Sequence, residues 1–102
     1  MEYLLVIQFP MSSIEDFDEL IAMEDLLIDG LTNGADVDGH DMGEGEGNIF
    51  IITEDAKATF EGVRAILGKR VIWPVMRAGY RRTDKDAYTP LWPIDLREFT
   101  VA

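Results

Sequence analysis

The chain has no cysteine, which excludes a disulfide framework, a thiolate metal site and a cysteine nucleophile. Its only histidine is His40, too little imidazole to make a zinc centre convincing. No apolar run reaches the roughly 18 residues of a spanning helix, so no membrane association is expected. Basic residues are missing from more than half of the sequence: the first Lys or Arg is Lys57. No positive charge precedes the apolar residues 3–7, and no small-residue cleavage site follows them. The N-terminus therefore reads as a strand and not as a signal peptide, and a cytoplasmic location is expected.

What is present points to one folded domain. The 102 residues are 47% hydrophobic and 10% aromatic, enough for a single core. A compact chain of this length has a radius of gyration of about 13 Å. The formal net charge is −11, and it is unevenly distributed. Residues 1–56 carry 15 acids and no base, whereas residues 57–102 carry nine bases and five acids. Such a field disfavours nucleic acid along the acidic half and favours basic partners. Solubility alone would also account for it.

The order of elements follows from periodicity and punctuation. Residues 2–9 form an apolar run closed by Pro10, which reads as a strand buried on both faces. Ser12 and Glu15 match a capping box, with Ser12 as N-cap. Ile14, Phe17, Leu20, Ile21, Leu27, Ile28 and Leu31 then recur at helical spacing, and Gly30 or Gly34 can end the helix. A polar strand to about Asp41, a glycine-rich turn and a return strand over residues 48–53 follow. Thr53 or Asp55 can cap a second helix with Ala56, Phe60, Val63, Ile66 and Leu67 on its apolar face, ended by Gly68. A fourth strand is expected within residues 71–80, interrupted by Pro74.

This βαββαβ order predicts an α+β fold, a ferredoxin-like sandwich with a four-stranded antiparallel sheet. In it the two apolar strands are central, and the acidic second and proline-bearing fourth strands form the edges. Residues 1–82 form the core of the single domain. Residues 83–102 form an extended packing segment, because Tyr88, Leu91, Trp92, Ile94, Leu96, Phe99 and Val101 need a surface to cover.

Two helices cover only one face of such a sheet. In the first strand Tyr3, Leu5, Ile7 and Phe9 point one way, and Leu4 and Val6 the other. In the third, Phe50 and Ile52 oppose Ile49 and Ile51. Leaving such side chains in water forfeits about 1.5–3 kcal/mol each. The second face therefore requires a cover: the C-terminal segment, a second subunit or a ligand.

Three groups of residues could carry chemistry. Asp36, Asp38, His40, Asp41, Glu44 and Glu46 could bind a hard cation. Their spacing does not match an EF-hand loop, and a solvated edge strand with a glycine turn is the favoured reading, so no metal is assigned. Alternation places Asp36, Asp38 and His40 on one face with Val37, Gly39 and Asp41 on the other. His40 and its neighbour Asp41 are then not readily a base and its orienter. Gly43, Gly45 and Gly47 follow a hairpin strand and are interleaved with Glu44 and Glu46, which speaks against a phosphate cradle. Lys69, Arg70, Trp73, Arg77, Tyr80, Arg81 and Arg82 could suit RNA, but the aromatic and basic signature on the central strands is missing. Pairing of these bases with the acidic half is the simpler expectation.

Residues 38–51, followed by Thr53-Glu54-Asp55 and Phe60, resemble a group of small, uncharacterised bacterial ferredoxin-like proteins, as does the later Tyr88-Thr89-Pro90-Leu91-Trp92-Pro93. The resemblance implies the fold and a C-terminal segment that belongs to the domain. It implies no activity. Some immunity proteins that neutralise bacterial toxins share the small acidic build. The expected function is thus a non-enzymatic protein-binding domain, such as an immunity-type inhibitor of a basic partner, with no cofactor. Self-association as a homodimer is a further expectation, and nucleic acid is not an expected partner. The residues expected to meet a ligand or partner are His40, Asp41, Glu44, Glu46, Arg77, Tyr80 and Trp92. The alternative is a small enzyme or a metal- or ligand-binder using residues 40–46.

Overall fold

The computed structural model describes residues 1–31 and 34–101; Ala102, at the end of the C-terminal segment, lies outside the described residues. Five strands and two helices follow in the order β1 (Tyr3–Pro10), α1 (Ile14–Gly30), β2 (Asp36–Gly43), β3 (Glu46–Thr53), α2 (Ala56–Leu67), β4 (Arg77–Arg82) and β5 (Thr89–Trp92). All pairings are antiparallel, and the sheet runs β2-β3-β1-β4-β5. The expected four strands are therefore five. The apolar strands β1 and β3 lie inside as their composition requires, but β4 is not an edge, because residues 89–92 pair with it. The Cα radius of gyration is 12.5 Å.

Local chemistry sets each boundary, sometimes one step from where the sequence pointed. Ser13, not Ser12, caps α1: its hydroxyl accepts from the Asp16 amide at 3.2 Å. Asp16 reaches back to accept from the Ser12 amide at 2.7 Å, so the reciprocal box is built on Asp16 and not on Glu15. At α2, Asp55 is the cap, accepting from the Ala58 amide at 3.0 Å. Pro74 does not interrupt a strand. It sits in a single 3₁₀ turn, Trp73–Val75, where its missing amide costs nothing, and β4 begins after it. The β2–β3 hairpin closes on Glu44 and Gly45, with φ of 54° and 78°. Two successive positive φ values match the right-handed twist of the strands, so the hairpin needs only two loop residues.

Both helices lie on one face of the sheet. Leu5, Ile7 and Phe9 of β1, Ile49 and Ile51 of β3 and Ala78 of β4 meet Leu20, Met23 and Leu27 of α1 and Phe60, Val63 and Leu67 of α2. α1 lies over β2 and β3, and α2 over β1. At the β5 edge the half-buried Trp92 stands 5.8 Å from Phe60 and 6.0 Å from Trp73 between ring centroids, with the Arg64 guanidinium 4.7 Å over its ring.

The opposite face is covered in part by the chain's own C-terminus. Phe99 is only 6% exposed and lies directly on Gly79 of β4, where a Cβ would run into its ring. The next carbonyl, of Thr100, accepts from Gln8 Nε2 of β1 at 2.9 Å. Tyr88 packs edge-on against Phe99 at 5.3 Å. Residues 83–101 thus do two jobs: β5 lengthens the sheet, and residues 99–100 strap its second face.

Candidate functional site

Strand pairing orders the strapped face into rows. One row reads Asp36, Ile52, Leu4, Arg81 from β2 to β4, and the next Gly39, Phe50, Val6, Gly79. The third reads Asp41, Asn48, Gln8, Arg77. Acids occupy the β2 end and bases the β4 end. Val6, Gln8 and Asn48 are buried, whereas Leu4, Phe50 and Ile52 remain half-buried.

The acidic loop is split by this geometry. A bulge between Val37 and Gly39, with Gly39 at φ 123°, shifts the alternation by one residue. Asp36, Gly39 and Asp41 therefore share the strapped face, and Val37 and His40 the helix face. The expected sharing of one face by Asp36 and His40 is corrected by that bulge. His40 Nδ1 lies 3.0 Å from Glu24 Oε2 of α1, and its ring meets Phe17 edge-on at 6.2 Å. On the other side of the sheet, Asn48 Nδ2 donates to Asp41 Oδ1 at 3.0 Å and to Glu46 Oε2 at 3.1 Å. Gln8 Nε2 donates to Glu46 Oε2 and Asn48 Oδ1, each at 3.0 Å. Asp41 and Glu46 thus hold two buried amides in place. Glu44 projects from the hairpin turn, exposed. Among the described residues no group of three or more His, Asp and Glu side chains is placed to hold a metal ion.

The other expected site residues are dispersed. Arg77 is exposed at the base end of the third row. Tyr80 faces the helix side, with Tyr3 edge-on at 5.8 Å. Trp92 belongs to the aromatic edge described above. These seven residues do not converge on one site.

Among the described residues, most bases of the second half form no ion pair with the acids of the first. Arg70 does: its Nε and Nη2 donate to Glu19 at 2.7 and 2.5 Å, joining the end of α2 to α1. This hydrogen-bonded pair holds the Glu19 carboxyl below its ordinary pKa and the Arg70 guanidinium above its own. Asp16 is likewise lowered, chiefly by the Ser12 amide. Arg82 instead pairs locally with Asp84 at 2.9 Å. Arg81 donates to the carbonyls of Arg82, Thr83 and Lys85 and lies 5.7 Å over Tyr88. The acidic α1 sits over the acidic β2, so one side of the molecule is acidic and the β4 side is basic.

The residues that sequence reasoning misplaced are on the outer surface of α1. Ile14 and Ile28 read as core positions, yet they are 78% and 55% exposed. With the half-buried Ile21 they recur every seven residues along the helix. Asp18 and Asp25, also seven apart, run beside them, exposed. A seven-residue step drifts only about 20° around an α-helix, so these form two adjacent stripes. The signal was present: a helix with apolar residues at 14, 21 and 28 as well as 20, 23 and 27 has more apolar surface than one sheet face can bury.

No family model matches the chain, and no curated protein or solved structure matches it either.

Proposed function

We propose that the protein is a non-enzymatic binding domain whose acidic side docks a basic protein, in the manner of an inhibitor that neutralises its partner. The observation that carries this reading is the pair of stripes on α1. Acids alone serve solubility, but exposed Ile14 and Ile28 beside Asp18 and Asp25 do not. An apolar stripe rimmed by charge is the composition of a protein contact. Residues 1–56 carry no Lys or Arg, so apart from Arg70 on Glu19 the field around the stripe is acidic, which steers a basic partner and rejects acidic ones. Two helices on one face and the strand order β2-β3-β1-β4 support a ferredoxin-like reading of the core, with β5 as an addition.

The test is affinity capture from the cells that make the protein. It compares the wild-type chain with one carrying Ile14→Ser, Ile28→Ser, Asp18→Asn and Asp25→Asn. A basic protein retained by the wild type, released by salt and lost to the variant supports the reading once binding is reproduced with purified components. Equal retention by a folded variant contradicts it.

A further inference from the structure

We propose that the strapped face of the sheet is also a contact between two copies of this chain, related by a two-fold axis parallel to the strands. This goes beyond the binding role of α1, which lies on the other side of the sheet and stays free in such a pair.

Three features of the face lead to this occupant. The first is shape. The middle row ends in a glycine on each side. Gly79 is covered by Phe99, whereas a Cβ added at Gly39 would meet nothing within 4 Å. The strap therefore raises the β1–β4 half of the face and leaves the β2–β3 half as a trough. A two-fold axis along the strands lays the strap of each copy over the trough of the other.

The second feature is charge. The same axis places the acidic end, Asp36 and Asp41, over the basic end, Arg77 and Arg81, of the second copy. An axis across the strands would instead stack acid on acid. With a net charge of −11 per chain, that arrangement is opposed from the start. The gradient across the rows thus selects one of the two face-to-face arrangements, and aligned packing of two sheets is an established mode. The third feature is the apolar centre. Leu4, Phe50 and Ile52 are incompletely covered within one chain, and a second sheet with its strap supplies the missing cover.

Sedimentation equilibrium of the whole protein decides the matter. The expected mass is twice the 11.5 kDa chain at micromolar concentration. Phe50→Glu should raise the dimer dissociation constant by at least about 30-fold, as for a central contact residue. Arg77 is exposed, so Arg77→Glu should leave the fold intact. It should weaken the dimer by about 2- to 10-fold, since two exposed charge contacts change at once. Adding Asp41→Lys, which lies in the same row, to Arg77→Glu should recover part of the loss. A wild-type chain that remains at 11.5 kDa overturns the proposal and leaves the trough to another occupant. A dimer strengthened by Arg77→Glu overturns the axis, because it would mean that base faces base. A dimer indifferent to both Phe50→Glu and Arg77→Glu forms elsewhere.

Discussion

Phe99 lies directly on Gly79, on the sheet face away from the helices, and the space that a side chain at 79 would need is filled by its ring. Gly79 lies between Ala78 and Tyr80 in the middle of β4, and its role is close approach. Gly79→Ala should cost about 1–3 kcal/mol of stability, as overpacking does. Phe99→Ala should cost about 3–5 kcal/mol. In the Phe99→Ala background the cost of Gly79→Ala should largely vanish, because the two sites share one contact. Urea unfolding of the four proteins measures this cycle.

Gln8 is 1% exposed within an otherwise apolar strand, and its amide nitrogen serves Glu46, Asn48 and the Thr100 carbonyl. Gln8→Leu keeps the volume but leaves those acceptors short of a donor. It should destabilise by about 1–3 kcal/mol. It should also raise amide exchange or proteolysis at residues 99–101, since one of the lost bonds holds the strap.

Deletion of residues 84–102 removes both β5 and the strap. It bares β4 as an edge and uncovers Gly79, on which Phe99 lies, so the truncated chain should aggregate during purification. A soluble, cooperatively unfolding truncated chain would show that the segment is dispensable.

Glu19 supplies a pH dependence with a definite sign. Its carboxyl pKa is lowered in the folded state by the hydrogen bonds from Arg70. The stabilisation is therefore complete above the unfolded carboxyl value, about 4.3, and is lost as pH falls through the lower folded value. The stability difference between wild type and Glu19→Gln should be largest near neutrality and shrink in acid. Thermal melts from pH 7 downward give the comparison.

Glu44 has a φ of 54° in the hairpin turn, a conformation that costs an L-residue with a long side chain about 1 kcal/mol. Asn is better suited to it. Glu44→Asn should raise stability by up to about 1 kcal/mol, read as a higher melting temperature. A loss would mean that Glu44 makes a compensating contact in solution.

His40 pairs with Glu24 across the α1–β2 contact, with side chains 30% and 12% exposed. His40→Ala should cost no more than about 1 kcal/mol, the range for such pairs near the surface. Equilibrium dialysis against zinc should give the same result before and after the change.

The interior was legible in the sequence because its signals are local. Continuous apolar runs marked β1 and β3, and Asp55 and Gly68 bracketed α2. Three features were not legible, each for a physical reason. The bulge at Asp38 moves His40 and Asp41 to faces that strict alternation reverses, and Gly39 alone hinted at it. The pairing of β5 with β4 is a contact between segments whose composition says only that they are apolar. On α1 the periodicity identified the helix but could not say how wide its buried stripe is. Ile14 and Ile28 therefore read as core, although Leu20, Met23 and Leu27 already fill the space over β2 and β3. The polar pair Gln8 and Asn48 carried a usable signal that was missed. A Gln and an Asn inside apolar strands must find partners when buried, and the nearby acids Asp41 and Glu46 were the available ones.

Amide hydrogen exchange of the protein bound to its captured basic partner reports directly which surface that partner covers. Docking on the acidic side should give new protection along α1, residues 14–30, and in the adjoining β2, with residues 77–101 unchanged. Protection confined to β4, β5 and the strap, with α1 exchanging as in the free protein, would contradict it.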